Sequence, residues 1–297
     1  AVLLTIVPVQ VVLSIGANLS ELPHDLWLFS IYQNRQYVPV ILVSAYLIWL
    51  FAYWKPSKVQ ITLAAVMGYY AAASFSALAL LEVLVGIGLL FFATNRDRWA
   101  AGALLAAILS AGAFLTYNLN SPHLRHKYAF GGAGQYATPA GVAEMDKFLF
   151  PEGSLAANLP VGLQQRLQGW SAYWKASSHS TGVFLVGHAT PPPRSEATSA
   201  HNYYLDVLYN FGVFALLPLL GLIAYTGAWL WRARNRMTLP LLGLTFVVAF
   251  ILILDNNLKV PLRQPYPGIF AFFLWGILLS SLNGTSADTY QNLKAKQ

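Results

Sequence analysis

Long apolar stretches separated by short polar ones set the pattern of this chain. The apolar runs fall at roughly 1–18, 37–54, 59–75, 77–93, 100–117, 205–231, 239–254 and 266–282. Each is near the ~20 residues a helix needs to cross the hydrocarbon of a bilayer. Residues 59–93 are too long for one span, so a turn at Ser74-Phe75-Ser76 is expected to divide them. One polar stretch is long, about 118–203, and it is the least apolar part of the chain. Loops of that length are usually functional or disordered. Helical patterns inside this one favour an ordered cap. The expectation is an all-α, polytopic transmembrane helix bundle of about eight spans. Its parts are membrane helices in 1–117, a partly helical long loop over 118–203, and membrane helices with a short tail in 204–297.

Composition agrees with that pattern. Of 297 residues, 57% are hydrophobic and 10% charged, and the mean hydropathy is +0.52. Soluble domains are about 45–50% apolar and about 25% charged. A soluble enzyme, a disordered tail and a nucleic-acid module are therefore excluded. The formal net charge of +7 bears on topology. Taking 54–58, 95–99, 232–236 and the tail after 283 as one side, these short segments carry nine Lys/Arg, against three in 19–36, 75–76 and 255–265. The positive-inside rule puts the first set in the cytoplasm, and alternation then places 118–203 on the outer side. With no Cys, disulfides, thiolate metal sites and a cysteine nucleophile are excluded. Residues 1–18 lack a basic n-region and a small-residue cleavage site, so no signal peptide is read there. The chain is expected to be the later part of a longer protein.

Three segments carry candidate chemistry. Residues 160–176, PVGLQQRLQGWSAYWKA, read as a helix with Leu163, Leu167, Trp170 and Trp174 on one stripe and Arg166 and Tyr173 on its border. An Arg among aromatic rings can lie flat on one while its fork binds an oxyanion. The competing reading is an interfacial helix with its Trp residues at headgroup level. Residues 198–212, TSAHNYYLDVLYNFG, are expected to open a helix capped by Thr198 or Ser199, with His201 in its first turn. The positive helix end disfavours imidazolium, which keeps His201 neutral and available as a base. An interfacial His bonded to a neighbour is the bland alternative. Residues 255–268, DNNLKVPLRQPYPG, place Lys259 and Arg263 on the side that should be poor in basic residues. Anion binding and headgroup contact both account for them, and Arg35 makes the same case more weakly.

Metal signals are thin. Glu144 with Asp146, and His123 with His126, form no recognisable cage. The triple proline at 191–193 and the Gly-rich stretch at 131–134 read as turns or hinges. Glu82 is read as the one acid well inside a span, and a neutral, hydrogen-bonded carboxyl is the preferred reading over a proton relay.

RLQGWSAYWKAS (166–177), VFLVGHAT (183–190) and SAHNYYLDVLYNFGVFALLPLLGL (199–222) together resemble the O-antigen ligase and polymerase family of bacterial envelope glycan transferases. That family shows an Arg followed by Trp on an outer amphipathic helix, a Gly-rich segment, and an HN-x-x-L motif opening a membrane helix that reaches a Gly. Here these are Arg166, Trp170, Leu185-Val186-Gly187-His188, His201-Asn202 and Gly212. The Ser-Arg-Gly-like turn often seen in the family is Ser74-Phe75-Ser76-Ala77 in this chain, without its Arg, and the family has around a dozen helices.

The resemblance implies a GT-C-like, metal-independent, inverting transfer at the periplasmic face of the bacterial inner membrane. The donor would be a glycan on undecaprenyl diphosphate. The acceptor would be a lipid A–core sugar for a ligase or a lipid-linked repeat for a polymerase. His201 would be the base, and Arg166, Lys259, Arg263 and Arg35 would hold the departing diphosphate. Asn202, Tyr203, Trp170 and Trp174 would position the acceptor. Membrane lipids are expected partners, and no cofactor, metal or nucleic acid is expected. A facing carboxylate pair of the glycosidase kind is absent from the pattern. Behind ligation and polymerisation stand a polyprenyl-lipid or solute transporter, disfavoured because no internal repeat is seen, and a non-catalytic partner in glycan export.

The basic bias makes the topology testable in a chain with no Cys background. Cys placed at Ser154 or Ser195 should react with a membrane-impermeant thiol reagent in intact spheroplasts, and Cys at Asn235 should not. Labelling at Asn235 alone would invert the orientation.

Overall fold

A computed structural model of the chain describes residues 37–74, 76–118, 159, 161–188 and 200–294. The apolar run 1–18, Arg35, His123, His126, the 131–134 stretch, Glu144, Asp146, the triple proline, Thr198 and Ser199 lie outside the described residues. All regular structure among the described residues is helical: α1 (Val38–Ala52), α2 (Lys58–Ala73), α3 (Ala77–Ala93), α4 (Arg98–Tyr117), α5 (Val161–Ser178), α6 (Thr181–Val186), α7 (Tyr203–Ala233), α8 (Leu239–Ala249) and α9 (Pro265–Lys294). Beyond α8 the chain stays helical through a wide π segment, Phe250–Asp255, and one turn, Asn256–Leu258.

Short polar residues start these helices where the apolar pattern needs them. Ser57, Ser76, Asp97 and Ser180 each accept a main-chain N–H from the first turn of α2, α3, α4 and α6. Pro39 and Pro240 sit in the first turns of α1 and α8, where the missing N–H costs nothing. The expected division near residue 75 is present: α2 stops at Ala73 and Ser76 caps α3.

Three helices are long and apolar enough to cross a bilayer, Arg98–Tyr117, Tyr203–Arg236 and Leu239–Leu258, with mean hydropathies of 1.8, 2.1 and 2.1. Three shorter apolar helices accompany them, Val38–Ala52, Ala77–Ala93 and Pro267–Asn283. At 1.5 Å per residue a helix of 15–17 residues reaches only about 23–26 Å, short of the ~30 Å hydrocarbon layer. The protein is a membrane protein. The outward faces say the same: Phe211, Phe214, Leu217, Leu220, Tyr225 and Trp231 of α7 and Leu105, Ile108 and Leu109 of α4 are all exposed. In water such faces would associate, whereas acyl chains solvate them.

The described chain forms two compact units. The first holds α1–α4, the start of α8 to Phe250 and the middle of α9. Its closest contact is between α2 and α4. Ala64, Gly68, Ala71 and Ala72 on one helix and Ala100, Ala103, Ala107 and Ala111 on the other are buried. A side chain at Gly68 would run into the main chain of Ala107, and Ser110 Oγ donates to the Ala65 carbonyl at 2.6 Å. Small residues let two backbones approach where there is no hydrophobic drive between helices. In the same unit Glu82 is fully buried, and Ser44 Oγ donates to its Oε1 at 2.6 Å. The second unit holds α5, α6, α7 and Ile251–Ile269, and it contains the residues of interest.

The α2–α4 contact yields a paired test. Gly68→Ala should lower the thermal midpoint in detergent, costing about 1–3 kcal/mol through overpacking against backbone. Gly112→Ala, on the same α4 but facing open space, should be neutral or gain up to about 1 kcal/mol. Equal behaviour of the two would mean that α2 and α4 do not touch at Gly68.

Candidate functional site

The site is built around the entry to α7. Asn202, not Thr198 or Ser199, caps that helix: its backbone is extended and its Oδ1 accepts the Leu205 N–H at 3.1 Å. His201 therefore precedes the helix and does not sit in its first turn, which corrects the sequence expectation. The physical reason is its φ of 50°, a left-handed conformation that no helical residue can adopt. For a residue with a Cβ this conformation costs roughly 1–2 kcal/mol and persists only where neighbours impose it.

Both neighbours of His201 are held. Ala200 donates its N–H to Asp206 Oδ1 at 3.2 Å, and its carbonyl accepts the Trp170 indole N–H at 3.0 Å. Asn202 is buried, and its Nδ2 donates to Asn257 Oδ1 at 2.9 Å. Trp170 thus ties α5 to the turn, and Asn257 ties in the segment beyond the π turn. A third link is local chemistry: a π turn leaves carbonyls without their usual helical donor, and the Tyr204 hydroxyl donates to that of Leu252 at 2.7 Å.

Asp206 joins these parts. Its Oδ1 holds Ala200, while its Oδ2 accepts from Arg263 Nη1 at 3.1 Å. The carboxylate is 5% exposed and the guanidinium 44%, so the Arg fork still faces solvent on one side. Lys259 is buried with its ammonium 3.7 Å from Asp255. Asp255 Oδ1 and Asn256 Nδ2 are buried without a hydrogen-bond partner among the described residues. Arg166, half-buried on α5, acts electrostatically on both His201 and Asp255.

His201 is exposed, yet its pKa lies below 6.5. Partial desolvation is the larger cause and the positive charge of Arg166 the second, with Asp206 opposing both. The direction is that of the sequence expectation, and the causes are the cover around the ring and then Arg166. Tyr173 is pushed up to about 12, first by burial and then by Asp206 and Tyr209, against the pull of Arg263. Its phenol stays protonated at any physiological pH.

Two glycines fix α6 against α7. Gly212 has φ 73° inside α7 and breaks it, and Gly187, φ 78°, ends α6. A side chain at Gly187 would strike the main chain at Asn210, and one at Gly212 would strike Leu185. An unbroken helix would spend the Tyr209 carbonyl on the amide four residues on. Here it accepts both the main-chain N–H of His188 at 3.1 Å and its Nδ1–H at 2.8 Å. The His188 ring lies on Tyr209, centroids 4.1 Å apart, and Tyr209 on Tyr173 at 4.8 Å.

Among the expected site residues, His201, Arg166, Asn202, Lys259, Arg263 and Trp170 belong to this one network. Asn202 and Trp170 are engaged in holding the turn. Tyr203 packs edge-on against Tyr204, and Trp174 is 52% exposed on α5 with its ring against Phe184. Asp206, Asp255, Asn256 and Asn257 are additions that the sequence reading missed. Asp206 and Asp255 lie near the ends of two of the helices long enough to span, Tyr203–Arg236 and Leu239–Leu258. The available signal was the cost of any acid next to an apolar run. Among the described residues, no three of His, Cys, Asp or Glu gather as a metal would require. Compared with known proteins, the chain matches no family model, no curated protein and no solved structure.

The charges around His201 set its titration. Because its pKa is lowered, the neutral imidazole persists as pH falls below 6.5 and is lost only nearer the lowered value. Arg166→Gln should move the midpoint up, towards 6.5, and Asp206→Asn should move it further down. The measurement is the pH dependence of diethyl pyrocarbonate modification at His201, read by peptide mass spectrometry. Shifts of the opposite sign would remove Arg166 and Asp206 from its surroundings.

Proposed function

We propose that this protein is a membrane glycan transferase of the O-antigen ligase kind. In this reading it is a bundle of about eight spans in the bacterial inner membrane, with the His201 turn facing the periplasm. It moves a glycan from undecaprenyl diphosphate to a sugar hydroxyl, on a lipid A–core acceptor for ligation or on a lipid-linked repeat for polymerisation. The observation that supports it is the meeting, in one unit, of an exposed imidazole held neutral with the cations Arg166, Lys259 and Arg263.

The chemistry asked of these groups is modest. The acceptor oxygen attacks the anomeric carbon and its proton passes to His201. The bond from that carbon to the diphosphate oxygen breaks, and the electron pair leaves with the diphosphate. A diphosphate is a good leaving group once its growing charge is met, which is the work of a guanidinium fork. Arg263 already meets one carboxylate and keeps an open side. Lys259 is buried against Asp255, so it supplies field rather than direct contact until that pair opens. A single displacement inverts the anomeric centre.

Three variants separate the roles. His201→Ala should slow transfer by about 10²–10⁴-fold with donor binding retained. His201→Gln should do the same, because an amide orients a hydroxyl but takes no proton. Arg166→Lys should keep the fold and lose about 1.5–3 kcal/mol of donor or transition-state binding, since a point charge does not reproduce a fork. Product is read by mass spectrometry of lipid-linked glycan under saturating donor, and its acceptor distinguishes ligation from polymerisation. Near-normal turnover of His201→Gln would leave His201 as a positioning group only.

A further inference from the structure

At the far end of α7 from His201 lies a second concentration of charge that the transfer chemistry does not use. From the break at Gly212 to Ala233 the helix is about 32 Å long at 1.5 Å per residue, close to the ~30 Å hydrocarbon thickness. A hydrocarbon layer laid along the helix from Gly212 would end near Trp229 and Trp231, residue types favoured at the interface, with Arg232 and Arg234 just beyond. No Asp or Glu occurs anywhere in the sequence from 207 to 254. The placement of the two arginines is specific. The Arg234 guanidinium lies 4.2 Å over the Trp231 ring, with Nη1 also donating to the Trp231 carbonyl at 3.1 Å, and the Arg232 guanidinium lies 5.5 Å over Trp229.

Trp231 is 68% exposed and continues the outward apolar face of Phe214, Leu217 and Tyr225. The cation stacked on it is thereby carried on the side of the helix that meets acyl chains, at the depth where lipid phosphates lie. A guanidinium held over an indole still has N–H groups to offer a bidentate acceptor. We propose that Arg232 and Arg234, stacked on Trp229 and Trp231, form a headgroup site for an anionic phospholipid at the C-terminal end of α7. The ligand chemistry is a phosphodiester whose acyl chains run down the exposed face of α7. That apolar face selects a lipid over a free anion. The inference stands on the membrane character of α7 alone and does not depend on glycan transfer.

The test uses the full chain in detergent mixed with phosphatidylglycerol or phosphatidylcholine, with retained lipid counted by native mass spectrometry. The wild type should retain phosphatidylglycerol preferentially, and excess inorganic phosphate should not displace it. Arg232→Gln and Arg234→Gln should each reduce that preference by roughly fivefold. Trp231→Leu, at an exposed position that does not threaten folding, should lower it while leaving both charges in place. An unchanged preference in the Arg232→Gln/Arg234→Gln double variant, with its thermal midpoint intact, would overturn the proposal. So would complete displacement by inorganic phosphate, which would make this a free-anion site.

Discussion

The candidate site depends on the Asp206 carboxylate. One oxygen fixes the residue before His201, and the other fixes Arg263. Without the first contact nothing on α7 would hold Ala200 in place, and the left-handed backbone of His201 would relax towards an ordinary conformation. Without the second, the Arg263 fork would be free to turn away. This little-exposed carboxylate has both oxygens engaged, one with an N–H and one with a cation. Structure and electrostatics are therefore the same contact here. The group that shapes the turn also holds the imidazole's pKa against the downward pull of Arg166.

Much of the helical framework was legible in the sequence because its signals are local. The helix expected at 160–176 is Val161–Ser178, the division near residue 75 is present, and the run 205–231 lies within Tyr203–Ala233. Apolar periodicity and Ser or Asp caps act over one or two turns and need no partner elsewhere. What was hidden depends on distant partners. Asp206 gained its role only from Arg263, 57 positions away, folded against it. The hydrogen bond from Asn202 Nδ2 to Asn257, 55 positions away, leaves no local trace in the sequence. His201 reads as helical because its backbone dihedral has no counterpart in the hydrophobic pattern.

The two units use different materials for the same purpose. In the first, small residues bring α2 and α4 together, and Ser44 donates to one oxygen of Glu82 in the interior. In the second, the helices are joined by hydrogen bonds that end on irregular backbone: the Tyr209 carbonyl released at Gly212, the Leu252 carbonyl in the π turn and the turn at Ala200. Non-helical backbone next to a bilayer is tolerated only where its polar groups find partners within the protein. Here those partners are the side chains that assemble the site.

The π segment Phe250–Asp255 has a consequence for how this region can tolerate change in chain length. A π turn is in effect one extra residue accommodated within a helix. Removing any one residue there would let the helix close into ordinary α geometry and rotate everything beyond it by about 100°. Leu252 would recover its own helical donor. Asn257 would swing away from Asn202, with both side chains still present. A single-residue deletion in this stretch would thus undo the arrangement more completely than a substitution at any of its members. Phase along the helix, as much as composition, is what the 250–255 stretch contributes.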